Sequence, residues 1–162
     1  EGVSGITTTC GFLSIYQDEL ADHCGVPVAS SSLLQVPCAQ TIIGTKKRVG
    51  VLTYNGDALQ GSYLESVNVP QDTPVKGMPQ NSEFVRWIND GDVSISFDTL
   101  REEALVAARE FHAEYPDLGA IVLECTNLAP FSADISSELG LPVFDCVTLV
   151  NWLHAGLRPQ RR

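Results

Sequence analysis

Basic residues are scarce in this sequence: 10 Lys and Arg stand against 20 Asp and Glu in 162 residues, a formal net charge of -10. Such a surface repels phosphate backbones and anionic headgroups, so neither nucleic acid nor a membrane surface is an expected partner. The basic clusters, Lys46-Lys47-Arg48 and the tail with Arg158, Arg161 and Arg162, read as solvated ends. Long apolar runs are missing too. Nothing approaches the roughly eighteen residues of a membrane helix, and no charged start leads into an apolar stretch as in a secretory signal. A cytoplasmic location is the expectation. The five cysteines, Cys10, Cys24, Cys38, Cys125 and Cys146, form no CxxC or CxxH pair. That argues against a disulfide scaffold and against a zinc site. A glycine-rich phosphate loop is also absent, since Gly50 and Gly56 do not make one. No metal and no cofactor is therefore expected.

What is present suits a globular chain: 44% of residues are hydrophobic and 19% charged, enough to bury a core in one domain or two small ones. The chain opens on Glu1 instead of Met and runs into an apolar stretch within five residues, which reads as a piece of a longer or processed protein.

Short apolar runs alternate with amphipathic stretches, the pattern of βα units around parallel sheets. Val3 to Thr9 reads as a strand, followed by a helix with Phe12, Leu13, Tyr16 and Leu20 on one face. Val26 to Ala29 reads as a second short strand, ahead of the apolar stretch with Leu33, Leu34 and Val36. A polar break at Thr45-Lys46-Lys47 precedes a fresh strand, Arg48 to Thr53. The expected division is 1–45 for the C-terminal part of a first α/β domain, 46–145 for a second, and 146–162 for a C-terminal helix returning toward the first. Residues 66–82 offer one strand, Thr73-Pro74-Val75. From Asp98 a helix carries Leu100, Ala104, Leu105, Ala107, Ala108 and Phe111 as its buried stripe, and Pro116 stops it. Ala120 to Leu123 is a near-continuous apolar strand of the kind covered on both faces. A helix with Ile135 and Leu139 inward ends at Gly140, Leu141 to Phe144 is the next strand, and Val147 to Leu157 the last helix.

Two segments match in context: Gly5-Ile6-Thr7-Thr8-Thr9-Cys10-Gly11-Phe12 and Ala120-Ile121-Val122-Leu123-Glu124-Cys125-Thr126-Asn127. Each sets a cysteine at the carboxyl end of a predicted parallel strand, the edge where open α/β sheets bind ligands. Each cysteine also precedes a helix, whose free N–H groups are expected to lower the thiol pKa toward neutrality and to accept a substrate carboxylate. Two thiols facing one another suit a two-base proton transfer, one removing a proton from a carbon and the other returning one to its opposite face. Cys24, Cys38 and Cys146 read as packing residues. A Cys-His hydrolase with His23, His112 or His154 is the weaker alternative, because all three lie in predicted helices.

At ITTTCGF and GAIVLECTNLAP the sequence resembles the aspartate/glutamate racemase family, and the resemblance extends through SSLLQVP, KRVGVLTYN and LPVFDCVTLVNWLHAG. It implies two similar parallel-sheet α/β domains with the site between them, the first incomplete at its N-terminus. It further implies a racemase, an isomerase that works without pyridoxal phosphate by 1,1-proton transfer at the α-carbon of an amino acid or hydantoin. Carried over, Cys10 and Cys125 are the acid/base pair. Thr9, the backbone of Gly11 and Phe12, and Thr126 with Asn127 surround the substrate carboxylate, and Thr53, Tyr54 and Asn55 form a substrate-facing loop. Gly11-Phe12 and Asn127 depart from the glutamate racemase pattern and point to the aspartate and hydantoin branches. The partner implied is a small carboxylate or amino-acid-like molecule; a homodimer is compatible with the sequence without a local signal for it. A decarboxylase or cis-trans isomerase of the same superfamily, or a non-catalytic fragment, is the alternative. Glu124 and Asp145 could tune the site or be satisfied carboxylates.

Overall fold

The computed structural model describes residues 2–59 and 61–159. Glu1, Arg161 and Arg162 of the sequence reading lie outside them. The fold is α/β with strictly parallel pairing. β1 (Ile6–Thr7) pairs with β2 (Val28–Ala29), while β3 (Arg48–Thr53), β4 (Val75–Gly77), β5 (Leu118–Leu123) and β6 (Val143–Phe144) form a second sheet in the order β4-β3-β5-β6. Between them run α1 (Gln17–His23), α2 (Val36–Ile43), α3 (Gly61–Glu65), α4 (Glu83–Asp90), α5 (Phe97–Glu114) and α6 (Ser132–Leu139), and α7 (Cys146–Leu157) follows β6.

The larger sheet is apolar on both sides because its central strands alternate between two cores. Leu52, Ile121 and Leu123 face Phe84 of α4, Phe111 of α5 and Ile135 of α6. Val49, Val51, Ala120 and Val122 face Val36 and Ala39 of α2 together with Leu59 and Leu64. Gly50 leaves room for the Phe111 ring, whose edge lies 2.7 Å from where a Cβ would sit. Fully burying one such ring contributes about 1.5–3 kcal/mol.

The strands read at 48–53 and 120–123 are observed, the second starting two residues earlier. The first strand is shorter than the expected Val3 to Thr9: only Ile6 and Thr7 pair, and both are exposed. The helix expected after it opens as a 3-10 turn, Gly11–Tyr16, before continuing as α1. At Pro74 the strand starts late, at Val75, because proline has no N–H for a ladder; its carbonyl still accepts from Val51 N at 2.8 Å. The sequence reading missed α4, which is capped by the Ser82 hydroxyl and closed by Gly91 at φ 65. Arg48 is not a free solvated end: its guanidinium forms a two-pronged ion pair with Asp117, at 2.7 and 2.9 Å, and lies over the Tyr115 ring. Among the described residues no helix is long and apolar enough to cross a membrane.

Candidate active site

The two cysteine turns are built alike. Cys10 caps the 3-10 turn Gly11–Tyr16 and Cys125 caps the 3-10 turn Thr126–Phe131, both with extended backbone at the cap. The threonine run before Cys10 fastens its strand: Thr7 Oγ1 donates to the Ala29 carbonyl at 2.9 Å and Thr8 Oγ1 to the Ser30 carbonyl at 2.5 Å. The buried Ser14 then ties this segment to α3, donating to the Tyr63 carbonyl while its own carbonyl accepts from Ser66 Oγ. On the other side Glu124 N donates to the Leu52 carbonyl at 2.9 Å, so the carboxyl ends of β3 and β5 lie together. Thr126 Oγ1 donates to the Thr9 carbonyl at 2.8 Å and joins the two turns directly.

Between them opens a cleft of about 170 Å³, lined by both thiols. Cys10 is exposed and Cys125 half-buried. Glu124 at the cleft wall is only 1% exposed. One of its carboxyl oxygens accepts from the buried Thr53 hydroxyl at 2.5 Å; the other has no hydrogen-bond partner. A Cβ at Gly11 would collide with that second oxygen, so the carboxyl fills the space a side chain at position 11 would take. Burial pushes Glu124 up to about 7, against the pull of the Thr53 hydroxyl.

The expectation of a lowered thiol pKa is corrected at Cys125. Burial pushes this thiol up to about 11; the Asn127 amide opposes, the Glu124 charge adds to the rise, and the Leu128 amide and Cys10 act more weakly in opposite senses. The free amides that open this turn favour the thiolate, and taking a thiolate out of water outweighs them.

Of the residues expected near substrate, Thr9, Gly11, Phe12, Tyr54, Thr126 and Asn127 line the cleft with the two cysteines. Two do not. Thr53 is fully buried behind Glu124, and the Asn55 side chain turns back to accept from Ala58 N at 3.0 Å. Tyr54 is held by its hydroxyl donating to Asn89 of α4, and Phe12 packs edge-on against Tyr63 with ring centroids 5.1 Å apart. Ile88 of α4 also lines the cleft and was invisible in sequence because α4 itself was not read. Glu124 was named only as an open alternative; its neighbour Cys125 was the available signal. Asp145 is a satisfied carboxylate, capping α7 in a reciprocal pair with Thr148 and accepting from Ser132 Oγ. A larger apolar groove of about 510 Å³ runs between β2, α2 and α7 and shares no lining residue with the cysteine cleft.

No protein-family profile matches the chain. Among solved structures it superimposes on allantoin racemase from Pseudomonas fluorescens (TM-score 0.64, 15% identity, 96% of this chain and 63% of that one). A glutamate racemase from Bacillus anthracis gives a TM-score of 0.62 at 15% identity, over 96% of this chain and 60% of that one. An arylmalonate decarboxylase gives 0.59 at 17% identity, over 98% and 73%. The fold is that of the aspartate/glutamate racemases. Sequence relatives, however, carry another activity in their names. A dimethylsulfoniopropionate lyase from Durusdinium sp. clade D is 29% identical over 160 residues, 96% of this chain and 53% of the relative. Dimethylsulfoniopropionate lyase 7 from Emiliania huxleyi is 29% identical over 180 residues, 100% of this chain and 50% of the relative. The chain thus spans about half the length of these curated relatives.

These relatives overturn the racemase and isomerase expectation: lyase is the class they share, on a fold that also hosts racemases and a decarboxylase. The two thiols of the cleft differ in setting: Cys10 is exposed, and Cys125 is half-buried and raised.

Proposed function

We propose that this chain carries the thiol site of a lyase that eliminates a leaving group β to a carboxylate, with dimethylsulfoniopropionate or a close zwitterion as substrate. The names of the relatives, matched along nearly the whole chain, support the reaction class. The observation that carries the division of roles is the inequality of the thiols, Cys10 exposed and Cys125 pushed up to about 11. An elimination needs one base on one face of the α-carbon.

In this reading the N–H groups of Gly11 and Phe12 receive the substrate carboxylate. The Cys10 thiolate takes the α-proton, the freed electron pair becomes the new carbon–carbon double bond, and the bond from the β-carbon to sulfur breaks with its pair leaving on dimethyl sulfide. Acrylate remains, and solvent takes the proton from Cys10. Cys125, kept as a neutral thiol, donates toward the carboxylate as it gains charge. No Lys, Arg or His is among the described residues lining the cleft, so no fixed positive charge there opposes a sulfonium, and the Phe12 and Tyr54 rings offer faces that attract cations. The same reading divides the chain at residues 45 and 145, with 1–45 and 46–145 contributing one thiol each to a site between two domains.

The test is to incubate the protein with dimethylsulfoniopropionate and measure headspace dimethyl sulfide together with acrylate in solution. Equal amounts of both are expected. A folded protein that yields neither contradicts the reading, and carbon dioxide release from substituted malonates in its place would assign decarboxylation.

A further inference from the structure

The wall of the cleft holds a carboxylate that the elimination does not use. Glu124 precedes Cys125 in the chain, is 1% exposed, and is wedged between the Gly11 backbone and the end of β3. Among the described residues its carboxyl accepts a hydrogen bond from Thr53 at one oxygen, and its second oxygen is buried without a partner. An unpartnered carboxylate oxygen in such a place is costly, and it persists where the group has work to do. The titratable groups that share the cleft with it are Cys125 from its own turn, Cys10 from the opposite turn and Tyr54 from beyond β3, and no cationic side chain lines the cleft among the described residues to absorb a second negative charge.

We infer that Glu124 is a positioning residue acting through Cys125: once ionised, its buried carboxylate adds to burial in holding the neighbouring sulfur in the thiol form and so widens the difference between the two thiols of the cleft. Two negative charges on adjacent residues of one poorly hydrated cleft wall repel, so Glu124 and Cys125 together accept one charge more readily than two. The carboxyl is the stronger acid of the two, and the Thr53 hydroxyl further favours its ionised form, so the pair's first proton leaves Glu124 and Cys125 stays protonated. Gly11 belongs to the same device, since any side chain there would displace the carboxyl from its seat. The inference depends on the lyase reading for the use made of unequal thiols; the coupling itself is measurable without substrate.

The experiment is iodoacetamide alkylation of the full chain from pH 6 to 8.5, with the modified cysteine located by peptide mass spectrometry, for wild type, Glu124→Gln and Thr53→Val. At pH 6 the carboxyl should be mostly protonated in wild type, and Cys125 should react at similar rates in wild type and Glu124→Gln. By pH 8.5 the Glu124→Gln rate should exceed wild type by roughly threefold or more, because the carboxylate that suppresses the thiolate is missing. Thr53→Val should move Cys125 the same way near pH 7.5 by keeping Glu124 protonated longer, and it serves if Glu124→Gln does not fold. A rate ratio that stays constant across this pH range, in both variants, overturns the inference, since a purely structural role would change reactivity at every pH alike. Dimethyl sulfide release is recorded on the same preparations: a pH-dependent ratio without release sustains the coupling and defeats the lyase reading, and release with a constant ratio does the reverse.

Discussion

The hydroxyl of Thr126 donates to the carbonyl of Thr9 at 2.8 Å across 117 residues of chain, so the two cysteine turns are fastened one residue away from each thiol. A hydrogen bond of this kind contributes about 0.5–1.5 kcal/mol to stability, but its larger effect is on the spacing of the cleft. Thr126→Val is expected to lower stability by about 1 kcal/mol in urea melts and to reduce turnover in the proposed elimination about tenfold or more. Thr126→Ser should restore most of both. Turnover unchanged in Thr126→Val would mean that the bond does not hold the site.

Gly11 is the tightest point of the site. A Cβ there meets both Glu124 Oε1 and, at 2.7 Å, the Glu124 backbone carbonyl, and only the first of these can retreat by a side-chain rotation. Gly11→Ala should destabilise the protein by about 1–3 kcal/mol. The Gly11→Ala/Glu124→Ala double variant should recover part of that loss, a non-additivity read from denaturant midpoints.

The buried carboxyl also fixes a direction of pH dependence. Glu124 holds its proton to about 7 when folded, against an ordinary value of 4.5, so between these pH values the folded protein binds a proton that the unfolded chain has lost. Stability must therefore fall as pH rises from 4.5 to 7 and level off above, by roughly 3 kcal/mol for this group alone. Glu124→Gln should flatten that slope. Urea unfolding at about pH 4.5, 6 and 7.5 measures it, and a slope retained in Glu124→Gln would assign it to other groups.

The sheet carries its own test at Gly50. A Cβ at this position would stand 2.7 Å from the Phe111 ring and 2.8 Å from Leu118 Cδ2, both fully buried. Gly50→Ala is expected to cost about 1–3 kcal/mol through overpacking, with the chemistry at the thiols intact in the fraction that remains folded. Circular dichroism melts and dimethyl sulfide release on one preparation check both halves.

Which elements were legible in the sequence depends on the physics of each segment. The strands at 48–53 and 118–123 were legible because they are covered on both faces and read as unbroken apolar runs. The helix over 97–114 was legible from its stripe. The matched contexts of Cys10 and Cys125 were legible because both lie just past a strand end, and the structure brings both to one cleft. Helix α4 was not: its eight residues hold Arg86, Asn89 and Asp90 among the apolar ones, and the Ser82 and Gly91 signals at its ends are short. The state of Cys125 was hidden because desolvation is a tertiary property; its local sequence advertises only the turn that lowers a thiol pKa, and the burial that raises it comes from elsewhere. Reaction class was hidden for a related reason. A thiol placed beside an α-carbon begins racemisation, decarboxylation and elimination alike, and the product then depends on the substrate's leaving group and on whether a second thiol can answer.

The division of roles between the thiols is tested most directly by comparing Cys10→Ser and Cys125→Ser with wild type for dimethyl sulfide release from dimethylsulfoniopropionate near neutral pH. Loss of the base in Cys10→Ser should cost about 10²–10⁴ in rate, whereas Cys125→Ser, whose hydroxyl can still donate, should keep a readily measured fraction of activity. Release that survives in Cys10→Ser and vanishes in Cys125→Ser would contradict the assignment and make the buried thiol the base.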